Sequence, residues 1–316
     1  MLHDRVSNNI RKSWMLIVVF IALVAAIGWA FGYLTGYGLW AVPIAVAISL
    51  AMTWGAYFKS DTIALRMSRA RPADQEDDRQ INNVLEALAL GAGMQKPRLY
   101  VIEDEAPNAF ATGRNPEHAA IAVTRGLMNK MRRDELEGVL AHELAHVKNR
   151  DTLVMTLAVT LVGIIVLLAD WFLRALWFGG GRRNDRGGGI AAPLALIGIL
   201  LMVLAPLIAK LLQFAISRQR EFLADAEAVM ITRYPPGLIG ALEKLGADKT
   251  VVRTASKATA HLWIEAPIAR HADEGGSKQG AWLNRMFNTH PPLEERIAAL
   301  RESSVGSPAR PLSQDV

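Results

Sequence analysis

Five consecutive residues, His142-Glu143-Leu144-Ala145-His146, carry the most specific chemistry in the chain. On a helix a spacing of four puts both imidazoles on one face, one turn apart, where two nitrogens can bind one zinc ion. Glu143 is then angled toward a water held there and can act as general base. Zinc in a catalytic site needs a third protein ligand and an open position for water. The chain has no cysteine, so that ligand must be His, Asp or Glu. The longer pattern with Gly and His at the eighth and eleventh places is excluded, because Asn149 and Thr152 stand there. In Ser217-Arg218-Gln219-Arg220-Glu221-Phe222-Leu223-Ala224-Asp225 the two acids lie at i, i+4 on one helix face. Glu221 is the candidate third ligand, and Asp225 the candidate acceptor for the outer nitrogen of a ligand histidine. Taken alone, the same pair would read as an acidic helix surface facing Arg218 or Arg220.

The elements that must position these groups can be sketched from periodicity. Apolar Ile81, Val84, Leu85 and Leu88 predict a helix over Gln75 to Leu90, stopped by Gly91 and Gly93. A strand is expected at Arg98 to Glu103. Asn108 to Thr112 and His118 to Val123, separated by Gly113-Arg114-Asn115-Pro116-Glu117, read as strand, turn, strand in a small antiparallel sheet. Asp134 followed by Glu137 suggests a capping-box start for the helix that carries His142 and His146.

These elements share the chain with long apolar runs. Of 316 residues, 51% are hydrophobic and 21% charged, which excludes disorder and argues against an ordinary soluble enzyme. Ser13 to Phe58 contains no charge, 46 positions that suffice for two spans and a turn at Thr35-Gly36-Tyr37-Gly38. Trp14, Trp29, Tyr33, Trp40, Trp54 and Tyr57 fall where interfacial aromatic belts belong. Thr152 to Ala169 and Gly187 to Ala209 are uncharged for 18 and 23 residues and suggest a second pair. The expected division is therefore a membrane hairpin at 1–58, a first catalytic part at 59–151, a second hydrophobic hairpin at 152–209 and a second catalytic part at 210–316. Arg5, Arg11 and Lys12 before the first span, and Lys59, Arg66, Arg69 and Arg71 after the second, place both flanks in the cytoplasm. Arg174, Arg182, Arg183 and Arg186 between the later segments have the wrong sign for an external loop, which leaves open whether that pair spans fully. No phosphate-binding loop or nucleic-acid motif is visible, so the net charge of +5 is assigned to topology, with the lipid bilayer as partner and no nucleic acid.

HELAHVKNRD at 142–151, SRQREFLAD at 217–225 and THPPLEER at 289–296 together resemble the HtpX-type integral-membrane zinc metalloproteases, relatives of the CAAX prenyl endopeptidases. The order of hairpin, zinc helix, hairpin and glutamate helix agrees along most of the chain, and nothing is recognised at Val251 to Gly280. The resemblance implies an α+β zincin-like domain, mostly helical with a small sheet, attached to about four transmembrane helices. It implies one Zn²⁺ per chain held by His142, His146 and Glu221, and Glu143 as catalytic base. It further implies cytoplasmic-facing proteolysis of polypeptides, chiefly damaged or misassembled membrane proteins, in a bacterial inner membrane. By resemblance His290 and Arg296 would approach the site and stabilise the oxyanion. A helix-start histidine and an Arg296 paired with Glu294 or Glu295 is the alternative. Asn108, Ala109, Phe110 and Ala111 would resemble the edge strand that holds peptide by backbone pairing, against an ordinary sheet edge. Two rival functions remain: a membrane scaffold with a structural zinc, which would have no need of Glu143, and a prenyl-protein endopeptidase, for which four spans are too few to enclose a chamber.

Overall fold

The computed structural model describes residues 2–36, 38–74, 76–157, 161, 218–250, 252, 263–264 and 291–305. His290 and nearly all of the second hydrophobic pair lie outside them. The uncharged run forms α1 (Leu2–Thr35) and α2 (Ala41–Met67), packed as a hairpin. Both are long and apolar enough to cross a membrane, over Val6–Tyr33 and Gly38–Met67. At 1.5 Å per residue, the 34 residues of α1 extend for roughly 50 Å, about 20 Å more than a hydrocarbon core needs. The helix is therefore longer than a single crossing requires. Gly28 and Gly32 let the two helices meet: an added Cβ would collide with the Ala45 methyl at the first and the Gly38 carbonyl at the second.

After α2 come β1 (Arg71–Pro72), α3 (Arg79–Gly91), β2 (Arg98–Ile102), β3 (Ala109–Thr112) and β4 (Ala120–Thr124). The helix expected from Gln75 starts at Arg79, because Glu76–Asp78 form a tighter turn first. The sheet runs in the order β1-β2-β4-β3. It is mixed, not antiparallel as the turn residues suggested. The hairpin of β3 and β4 is antiparallel, but it is β4 that lies beside β2, so β2 and β4 run parallel and β3 takes the edge.

Both faces of this sheet are covered. Ile102, Phe110, Ala120 and Ala122 share a core with Leu16, Ile17 and Phe20 of α1 and with Leu153, Val154 and Leu157. Leu99, Val101, Ala109, Ile121 and Val123 point the other way, into a core with α3 and with α5 (Arg133–Lys148), which follows the short α4 (Arg125–Lys130). This alternation is the two-residue period of a strand with a hydrophobic partner on each side. The position 58/59 falls inside α2, which continues to Met67, and α1 packs on the sheet.

α5 begins at Arg133, and it is Glu135, not Glu137, whose carboxylate accepts the Arg132 backbone N–H at 2.7 Å. α6 (Arg218–Thr232) and α7 (Pro235–Ala247) pack on α5, and α8 (Leu293–Val305) packs on α6 and α7.

Candidate active site

α5 is buried from Glu135 through Val147 along most of its faces, and His142, Glu143 and His146 on it are 0%, 2% and 6% exposed. A helix interior tolerates such groups only when each has a partner. α6 crosses α5 and delivers Glu221 and Asp225 from successive turns, and α8 delivers Arg296.

The Nε2 atoms of His142 and His146 face each other at 3.1 Å, with Glu221 Oε2 and Oε1 each 3.6 Å from one of them. The two rings stand nearly perpendicular, at 88°. Ligand atoms of all three residues lie within 4.8 Å of one another. Tetrahedral zinc with bonds of ~2.0–2.2 Å places ligand atoms about 3.3–3.6 Å apart; both Glu221 distances fall in that range and the Nε2 pair is within a few tenths of an ångström of it, so the donor set suits that ion. Ala111, Thr152, Met155 and Ile264 complete the lining around the ligands and Glu143.

Each imidazole is held from behind by a carboxylate. His142 Nδ1 donates to Asp225 Oδ1 at 2.9 Å, and His146 Nδ1 to Asp151 Oδ2 at 3.2 Å. Both contacts turn the Nε2 lone pair toward the metal position. Asp225 also accepts two hydrogen bonds from Arg296, from Nε at 2.8 Å and from a terminal nitrogen at 2.6 Å. The guanidinium is fully buried, and its other terminal nitrogen is 3.6 Å from Glu221.

Burial opposes charge on His142, as does Arg296, but the hydrogen bonds to Asp225 and Glu221 prevail, and its pKa is pushed up to about 9. Burial works to raise Asp225, yet Arg296 and His142 hold it down at about 2. Burial pushes the Glu143 carboxyl above the usual carboxylate range, against the pull of the two histidines.

The structure thus brings together His142, Glu143, His146, Glu221, Asp225 and Arg296. Arg296 pairs with Asp225 and not with Glu294 or Glu295. The candidate substrate strand is placed at the sheet edge, but Ala109, Phe110 and Ala111 are buried, as is Asn108, whose backbone joins Thr124. The outer side of β3 already carries a bridge from Phe110 to Trp263 and a hydrogen bond from Ile264 N to Ala109 O at 2.9 Å. Sequence reasoning gives Asp151 no role beyond its place at the end of HELAHVKNRD. The signal was an acid five residues beyond His146, and what makes it reach is Arg150, whose φ of 57° turns the chain back beneath the helix.

Two histidines, a glutamate from a second helix and a buried glutamate beside them define a zinc metallopeptidase centre. The chain matches Peptidase family M48 over residues 75–304, and it belongs to that family. It is 42% identical to "Protease HtpX homolog" of Caldanaerobacter subterraneus subsp. tengcongensis, covering 96% of this chain and 98% of that one. It is 41% identical to the protein of the same description from Streptococcus gordonii, covering 96% and 100%. The crystal structure of S. mikatae Ste24p aligns with a TM-score of 0.48 and 18% identity, over 94% of this chain and 66% of that one. The protein is a membrane zinc metalloendopeptidase.

Proposed function

We propose that the enzyme binds one zinc ion per chain and hydrolyses peptide bonds of membrane polypeptides at the cytoplasmic face of a bacterial inner membrane, removing damaged or misassembled proteins. The observation that carries the chemistry is the convergence of His142, His146 and Glu221 beside Glu143. When bound, zinc supplies the Lewis acidity that makes water nucleophilic at neutral pH and polarises the scissile carbonyl. Glu143 takes the proton of the attacking water and returns it to the leaving amine. A carboxyl raised by burial suits a group that must hold a proton between those two transfers.

Asp225 keeps His142 oriented, and Arg296 keeps Asp225 in place. That assignment makes Arg296 a support of the ligand set. The oxyanion role then falls to His290 by resemblance. A peptide that adds to β3 does so by displacing Trp263 and Ile264 or by pairing beyond them toward Ala111.

The cytoplasmic assignment rests on the basic flanks of the first hairpin, and the quality-control role on the resemblance. The deciding experiment is cleavage of an unfolded membrane-protein substrate by the purified full chain and by Glu143→Gln at equal zinc content. A loss of 10²–10⁴ in kcat with zinc retained is expected for a general base. Full activity in Glu143→Gln would remove the assignment.

A further inference from the structure

Asn9 lies on α1, one turn before the uncharged run begins at Ser13, and it is 5% exposed. Its amide nitrogen donates to Asp151 Oδ1 at 2.7 Å and to the Asn149 carbonyl at 2.9 Å. Asp151 Oδ2, the other oxygen of the same carboxylate, accepts from Nδ1 of the ligand His146 at 3.2 Å. A carboxylate held at one oxygen has its second oxygen fixed in direction, and that direction sets the plane of the imidazole. Arg220 is 3.6 Å from the same oxygen as Asn9 and so is the weaker restraint. The contact joins residues 142 positions apart and comes from the N-terminal end of α1.

We propose that Asn9 is a positioning residue of the zinc site, acting through Asp151 on His146, so that the first membrane helix contributes directly to metal affinity. The inference rests on the zinc reading of His142, His146 and Glu221, but neither the family pattern nor the ligand spacing requires it. It acts in the metal-free chain as well, by holding the site in shape before an ion arrives.

The test is zinc affinity of the full chain in detergent, read by competition with a chelating dye, for wild type, Asn9→Ala, Asp151→Ala and the double variant. Loss of an outer partner of a ligand histidine weakens metal binding about 10- to 100-fold. Asp151→Ala is expected in that range and Asn9→Ala near its lower end. Because Asn9 acts through Asp151, the double variant is expected to bind no more weakly than Asp151→Ala alone. Asn9→Ser, whose hydroxyl can satisfy itself on the carbonyl one turn back, repeats the measurement without an apolar group facing Asp151, and thermal unfolding of each metal-free variant reports the fold. Unchanged affinity in Asn9→Ala and Asn9→Ser, or an equal loss with and without Asp151, would overturn the inference. A wild type that binds no zinc would instead remove the metal reading itself.

Discussion

Replacing Arg296 with methionine separates two roles that the same residue could play. The guanidinium is fully buried and makes two hydrogen bonds to Asp225, itself 2% exposed. Removing one member of a buried ion pair leaves the other without its counter-charge and costs about 3–5 kcal/mol. The titration of Asp225 gives an independent scale. Its pKa is about 2 against an ordinary 3.8, equivalent to about 2 kcal/mol of stability. Because the folded value is depressed, that stability is present above about pH 4 and is lost as pH falls toward 2. Without Arg296, burial dominates and Asp225 rises. A loss of about 3–5 kcal/mol in a domain of this size lowers the unfolding temperature by roughly 6–20 °C. Zinc affinity should fall about 10- to 100-fold, because Asp225 no longer fixes His142. The assays are thermal unfolding of the metal-free full chain and chelator competition at neutral pH. Wild-type stability and zinc affinity in Arg296→Met, with kcat reduced about 10²–10³, would refute the supporting role and assign Arg296 to the oxyanion.

The proton on His142 should compete with the metal. With its pKa pushed up to about 9, the imidazole is charged at neutral pH in the metal-free chain, and zinc must displace that proton. Zinc affinity should therefore rise about tenfold per pH unit and level off near pH 9, measured by titration at fixed ionic strength; a flat profile would contradict the assignment. In the metal-free protein the sign is opposite. A raised folded value means that the contribution of His142 is fully present below about 6.5 and lost as pH rises through about 9. Gly138 is the close-approach point of α5 and α7, where an added Cβ would sit 2.6 Å from Leu238 N. Gly138→Ala should cost about 1–3 kcal/mol by forcing backbone apart, read as a lower unfolding temperature with zinc stoichiometry intact.

What could be read from the sequence was whatever lies on one helix. His142, Glu143 and His146 follow from a spacing of four, and Glu221 with Asp225 from the same period on a second helix. The crossing of those two helices is a tertiary fact, yet the unfilled ligand position already asked for it. Asp151 was hidden because its role depends on a left-handed residue at Arg150, and nothing in the type of an arginine announces φ of 57°. Asn9 was hidden by distance along the chain. The sheet was placed correctly at β3 and β4 by turn residues, but its parallel pair was not, because strand order depends on which strand of a hairpin meets β2. β1, two residues long, carries too little pattern to detect.

The hairpin and the zinc helix are two covers of one sheet. Leu16, Ile17 and Phe20 of α1 pack with Phe110 and Ala122 on one face, while Val139, Leu140 and Leu144 of α5 pack with Ala109, Ile121 and Val123 on the other. β3 therefore touches the core of the membrane helix with one side chain and that of the metal helix with the next. Two independent connections then run from α1 to the site: an apolar one through the sheet, and a polar one through Asn9 and Asp151 to His146. A hairpin that served only as an anchor would have no need of either. Removing residues 1–58 would strip Leu16, Ile17 and Phe20 from one face of the sheet and take the Asn9 hydrogen bond from Asp151, so α1 is packed into the same sheet that the metal helix covers from the other side.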